Sequence, residues 1–150
     1  MDNQALYQQV IIDHARKPRH CYRMKNPTHM ASGKNPVCGD DITVYIELND
    51  SQVLEVSFEG SGCAICMASA SMMSEHARGK SKEDVLKVIH AFIDMQTHHD
   101  EKDYETTLGK CSILEGVKHY PLRIKCATLA WHALKAAVES DKNSLTVSTE

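Results

Sequence analysis

The chain has 150 residues, 42% of them hydrophobic, and its 17 basic and 20 acidic side chains give a formal charge of −3. That is enough apolar chain for one domain with a true core, and no basic stripe with interleaved aromatics is present, which speaks against nucleic-acid binding. No stretch approaches a membrane span and no leader-like apolar run opens the chain, so cytoplasmic residence is expected, with the six cysteines kept reduced.

Residues 3–16 place Leu6, Val10, Ile11 and His14 at helical spacing, and Pro18 ends the run. From Arg19 to Val37 the periodicity is lost. Asn26-Pro27 and Asn35-Pro36 favour extended or turn backbone, so a long arm is expected to deliver the chain to Cys38. Ile42, Val44, Ile46 and Leu48 then alternate with more polar residues, Asn49-Asp50-Ser51 is turn-forming, and Leu54, Val56 and Phe58 alternate again. This pattern predicts an antiparallel hairpin. Its geometry sets the start of one strand beside the end of the next, which brings Cys38, Asp40 and Cys63 to one end of the sheet.

Residues 64–78, rich in Ala, Ser and Met, predict a helix stopped by Gly79, with small side chains suited to close packing. Ser81-x-x-Asp84 opens an amphipathic helix carrying Val85, Val88, Ile89, Phe92 and Met95. Residues 97–109 read as a polar surface loop, with His98 and His99 solvated. Ile113, Leu114 and Val117 suggest one or two helical turns. Pro121 suits the first turn of a last helix bearing Ile124, Leu129, Trp131, Leu134 and Val138. From about residue 140 the chain is polar and expected to fray, so residues 1–150 read as a single domain with a flexible tail.

Cys38, Cys63 and Cys126 with Asp40 supply three thiolates and one carboxylate, enough for a closed tetrahedral zinc site. The same thiols could hold an iron–sulfur cluster or accept sulfur as a persulfide. Arg123, one turn before Cys126 on the same helix face, can place a guanidinium near these anions, whereas Lys125 points elsewhere. Cys63-Ala-Ile-Cys66 also matches a Cys-x-x-Cys redox pair, although no βαβ pattern precedes it. A further alternative is a four-cysteine site with Cys66 in place of Asp40. Free cysteine is commonly buried, so a buried helix residue is the plainer reading of Cys66. Cys21 and Cys111 fall in expected loops without a partnered motif. None of the nine histidines shows metalloprotease or finger spacing.

Asn-Pro-Val-Cys-Gly-Asp at 35–40, Gly-Ser-Gly-Cys at 60–63, Met-Ala-Ser-Ala-Ser-Met-Met at 67–73 and Arg-Ile-Lys-Cys-Ala-Thr-Leu-Ala-Trp at 123–131 resemble the IscU/NifU-N superfamily. The likeness is strongest to its SufU branch. Lys125 stands where IscU-type scaffolds carry histidine, and the segment around 95–118 is of the SufU kind. The resemblance implies an α+β fold: a small antiparallel sheet of about three strands with helices packed on one face. It implies zinc bound by Cys38, Asp40, Cys63 and Cys126, with iron or an iron–sulfur cluster at the same residues as the alternative, and Arg123 behind them. Cys38 would accept persulfide sulfur from a PLP-dependent cysteine desulfurase of the SufS type, making the chain a sulfurtransferase that serves downstream iron–sulfur assembly proteins. The alternative function is a scaffold on which the cluster is built. Cys66 departs from the family pattern, where a small non-thiol residue is usual.

Overall fold

Three strands, β1 (His29–Asn35), β2 (Asp40–Asn49) and β3 (Gln52–Ser61), pair antiparallel in sequence order. A fourth, β4 (Leu145–Ser148), runs parallel to β1, so the sheet order is β3-β2-β1-β4. The helices are α1 (Asn3–Arg16), α2 (Ala64–Ala77), α3 (Lys82–Thr97), α4 (Glu105–Leu108) and α5 (Pro121–Glu139), with a 3-10 helix at Gly109–His119 before the last. The computed structural model describes residues 3–98, 102–140 and 145–148, and His99 lies outside them. The expected α+β fold is present, with α5 against β1 and β2, α2 against β3 and α5, and α1 and α3 outside those two helices. Among the described residues no helix is long and apolar enough to cross a membrane.

The β2–β3 hairpin forms where the alternation places it, and Gln52 N donates to Asn49 Oδ1 at 3.1 Å across its two-residue turn. Ile42, Val44 and Ile46 are fully buried under the helices. One detail departs from the expected phase. The register shifts between Glu47 and Leu48, leaving Leu54 unpaired and exposed while Val53 joins Val56 and Phe58 in the core. A one-residue bulge reverses which side chains face inward, and simple alternation cannot foresee it.

Three expectations are corrected. The arm from Arg19 to Val37 contains β1, whose inward residues are Ala31, Gly33 and Asn35. They carry no hydrophobic alternation, because α5 crosses β1 closely and only small or site-directed side chains fit there. The polar loop at 97–109 contains α4: Asp103 Oδ1 accepts from Glu105 N at 3.0 Å, and Tyr104 and Leu108 are buried. The polar tail contains β4, which pairs with Ala31–Lys34 and satisfies the backbone edge of β1 that would otherwise stay open. The helix ends at Pro18, Gly79 and Pro121 match the expected punctuation, and Ser81 Oγ accepts from Asp84 N at 3.0 Å as a cap.

The small residues of α2 serve contacts with neighbouring backbone and side chains. Ser69 Oγ donates to Ala127 O of α5 at 2.6 Å and accepts from Trp131 Nε1 at 2.8 Å, and Ser71 Oγ accepts from Arg19 N at 2.8 Å. Trp131 stacks on Phe92 with ring centroids 4.1 Å apart, locking α5 against α2 and α3. The helix that carries Arg123 and Cys126 is thereby held in place. We predict that Trp131→Ala lowers stability by about 3–5 kcal/mol and that Trp131→Phe, which keeps a stacked ring, costs less. Urea unfolding checks this, and equal losses in the two variants would remove the stack from the account.

Candidate functional site

The β1–β2 connection is the tight segment Pro36–Gly39, and the register sets Asn35 directly opposite Asp40. Gly39 takes φ +71°, a left-handed turn that favours glycine, and it reverses the chain between Cys38 and Asp40. At the same sheet end Asp41 pairs with Ser61, so β3 delivers Gly62 and Cys63 beside Asp40. From the other side α5 brings Cys126. Cys38, Asp40 and Cys126 therefore meet with ligand atoms within 4.8 Å of one another, the one such group among the described residues.

Asp40 is 2% exposed, and both its oxygens are engaged: Asn35 Nδ2 donates to Oδ2 at 3.1 Å and Cys63 N donates to Oδ1 at 2.9 Å. The Asn35 amide also reaches Cys126 Sγ at 3.4 Å, so one side chain bridges the carboxylate and a buried thiol. Asn35 was legible only as a turn residue before proline, because its role depends on the unrecognised strand β1. Cys63 caps α2, its Sγ accepting from Cys66 N at 3.5 Å, and lies just outside the tight group of three.

The thiols differ in access. Cys38 is partly exposed, and Arg123 Nη1 lies 3.7 Å from its sulfur. Cys63 is also partly exposed, whereas Cys126 and Cys66 are buried. Burial, then hydrogen bonds with Cys38, Asp40 and Cys63, pushes the Cys126 thiol up. The reciprocal contacts, first the bond to Cys126 and then the charges of Cys63 and Cys38, push the Arg123 guanidinium up. Burial and the nearby Asp40 charge likewise push the Cys66 thiol up. Lys125 is exposed and takes no part. Cys111 sits within the 3-10 helix, not in a loop, donating to Met72 O at 3.6 Å, with burial pushing its thiol up to about 12. Cys21 is exposed and pairs with Phe58 as an isolated bridge. His98 is exposed, and its ring lies 2.8 Å from Asp94, away from the site.

Three thiols and one carboxylate, contributed by the β1–β2 turn, the β3–α2 junction and α5, suit a tetrahedral zinc ion. Burial and contact with its neighbours disfavour a thiolate at Cys126, and the Arg123 guanidinium reaches the cluster at Cys38. A divalent ion would supply positive charge to this donor set. Space is tight as well: a Cβ at Gly62 would lie 2.7 Å from Asp40 Oδ1 and 3.0 Å from Cys66 Sγ. In zinc-loaded protein, Gly62→Ala is therefore expected to displace the carboxylate and speed zinc release to a chromogenic chelator at least several-fold. Gly39→Ala, where a Cβ meets nothing within 4 Å, costs about 1–2 kcal/mol of left-handed backbone strain and should release more slowly than Gly62→Ala. The reverse order would contradict the assigned place of Asp40.

Residues 6–127 match the model of the NifU-like N terminal domain. The zinc-dependent sulfurtransferase SufU of Bacillus subtilis is 42% identical over 137 residues, covering 91% of this chain and 92% of that protein. The iron-sulfur cluster assembly scaffold protein IscU of Streptococcus pyogenes is 37% identical over 139 residues, covering 93% of this chain and 86% of that protein. Among solved structures, an iron–sulfur cluster assembly scaffold protein for the SUF system from Fervidobacterium islandicum superposes with a TM-score of 0.82 at 32% identity, covering 87% of this chain and 95% of that one. The motifs at Cys38, Cys63 and Cys126, the sheet with its helical layer and these relatives agree: the chain belongs to the NifU-like N-terminal domain family, the IscU/NifU-N superfamily of iron–sulfur cluster assembly proteins.

Proposed function

We propose that this chain is a zinc-dependent sulfurtransferase: Cys38 accepts persulfide sulfur from a PLP-dependent cysteine desulfurase of the SufS type and passes it to downstream iron–sulfur assembly proteins. Cys38, Asp40, Cys63 and Cys126 hold the zinc. The observation that carries this reading is the asymmetry among the clustered thiols. Cys38 stands on a turn, partly exposed and beside a guanidinium, while Cys126 is buried in a packed helix. Work that depends on free thiols belongs in a reducing compartment, the cytoplasm.

Zinc, when bound, supplies positive charge that keeps the ligand thiols deprotonated at neutral pH. Arg123 steadies the Cys38 thiolate and, being exposed at the rim, stays beside it as a partner approaches. Val37, 65% exposed, and Leu122, 72% exposed, flank the thiol and suit an apolar contact with a protein partner. The Cys38 thiolate attacks the outer sulfur of the partner's persulfide. A new S–S bond forms at Cys38 Sγ while the partner's S–S bond breaks, and the partner's cysteine departs as a thiolate. Asp40 would be the hard ligand in a soft set and so the weakest, and its hydrogen bonds to Asn35 and the Cys63 backbone hold the carboxylate in place.

A second reading, a scaffold on which an iron–sulfur cluster is assembled at the same residues, is favoured by the IscU relative, which is itself named a scaffold. Metal analysis separates the two: tightly bound zinc supports transfer, and labile iron with sulfide supports scaffolding. The direct experiment mixes the chain with a SufS-type desulfurase and cysteine. Desulfurase turnover is expected to rise with the wild-type chain and stay at its basal rate with Cys38→Ala. The tryptic peptide containing Cys38 should gain the mass of one sulfur. Stimulation that persists in Cys38→Ala would overturn the transfer reading.

A further inference from the structure

Sulfur carried in a persulfide is sulfane sulfur, and it needs two electrons to become the sulfide of an iron–sulfur cluster. We infer that Cys63 and Cys66 form a dithiol that supplies those two electrons and releases the sulfur carried on Cys38 as sulfide. The inference rests on the reading of Cys38 as the persulfide carrier.

Its basis is the geometry of the pair. Cys63 is the N-cap of α2, partly exposed, with its Sγ 3.5 Å from Cys66 N. Cys66 Sγ is three bonds from that nitrogen, so the two sulfurs share the first turn of the helix. Cys66 is fully buried in the core, at its edge nearest the site. Its Sγ lies 3.0 Å from where a Gly62 Cβ would be, and Asp40 Oδ1 lies 2.7 Å from the same point. A partly exposed thiol at a helix start with a second thiol buried behind it is the arrangement of an attacking and a resolving cysteine. Cys66 lies at the greater depth, which suits the second role and not the first. Cys66 is not needed for the zinc set, so the proposed function leaves it unemployed.

The chemistry balances within the chain. The Cys63 sulfur attacks the outer sulfur of the Cys38 persulfide, forming a Cys63 persulfide and returning Cys38 to a thiol. The Cys66 sulfur then attacks the inner sulfur of that persulfide. A Cys63–Cys66 disulfide forms, the outer S–S bond breaks, and the leaving sulfur takes the Cys66 proton to depart as hydrogen sulfide. The dithiol is oxidised by two electrons and the sulfane sulfur is reduced by two. A cellular dithiol then restores the pair for another round. Disulfide formation also withdraws Cys63 from the zinc ligands, so the ion should leave as sulfide appears.

The test loads the zinc-bound chain in two parallel arms, by desulfurase with cysteine and by inorganic polysulfide. Small molecules are removed, and sulfide is measured without added reductant. The wild type should release one sulfide per Cys38 persulfide, and the peptide spanning Cys63 and Cys66 should lose two hydrogens. Cys66→Ser should load Cys38 as fully as the wild type and retain the sulfur until a thiol is added, with at least a tenfold slower release. Equal release from Cys66→Ser, or a wild-type persulfide that persists until thiol is added, would overturn the inference while leaving sulfur acceptance intact. Loading by polysulfide alone, followed by the expected release, would support the dithiol and overturn the desulfurase reading. Failure of both donors to place sulfur on Cys38 would overturn both.

Discussion

The buried carboxylate of Asp40 is the point on which the site is assembled. A carboxylate at this depth is costly unless its oxygens are engaged. One oxygen accepts from Asn35 across the β1–β2 register, and the other accepts from the backbone of Cys63 where β3 gives way to α2. The same Asn35 nitrogen reaches Cys126 on α5. Segments far apart in sequence are thus tied to a single side chain, and the thiols they carry converge because of it. Gly62 is part of the same constraint, since any side chain there would occupy the space of the carboxylate.

Around that anchor the cysteines divide by depth. Cys126, buried and bonded to its neighbours, is a fixed post. Cys38, on a turn beside Arg123, is partly exposed, as is Cys63. The same donor set could hold zinc or seat a cluster, and relatives carrying either name are 42% and 37% identical to this chain. What the geometry favours is chemistry at Cys38, because it alone combines access with a cation at hydrogen-bonding range. Cys66 adds a buried sulfur behind Cys63.

Much of this was legible in the sequence, and the parts that were not have physical reasons. The β2–β3 hairpin shows in its alternation, the caps at Ser81 and Pro121 show in their residue types, and the Cys38–Asp40–Cys63 convergence follows from hairpin topology. Strand β1 escaped because its inward residues are Ala31, Gly33 and Asn35, chosen by the closeness of α5 and by the site, not by hydrophobicity. Without β1, Asn35 could not be placed opposite Asp40. Leu54 and Val53 exchanged faces because a bulge is a register event that no single-strand pattern encodes. Strand β4 is too short to show a period, and its pairing depends on the free edge of β1. Tyr104 and Leu108 sit in a polar run, and their burial depends on helices distant in sequence.

The central claim is that three thiolates and the Asp40 carboxylate hold one zinc ion. Zinc-edge X-ray absorption on protein purified without added metal tests it most directly. The account predicts three sulfur neighbours at about 2.3 Å and one oxygen neighbour at about 2.0–2.2 Å, with the oxygen signal altered in Asp40→Ala. Four sulfur neighbours would put Cys66 in the place of Asp40, and iron with sulfide in place of zinc would assign the site to cluster assembly. Either result would contradict the account.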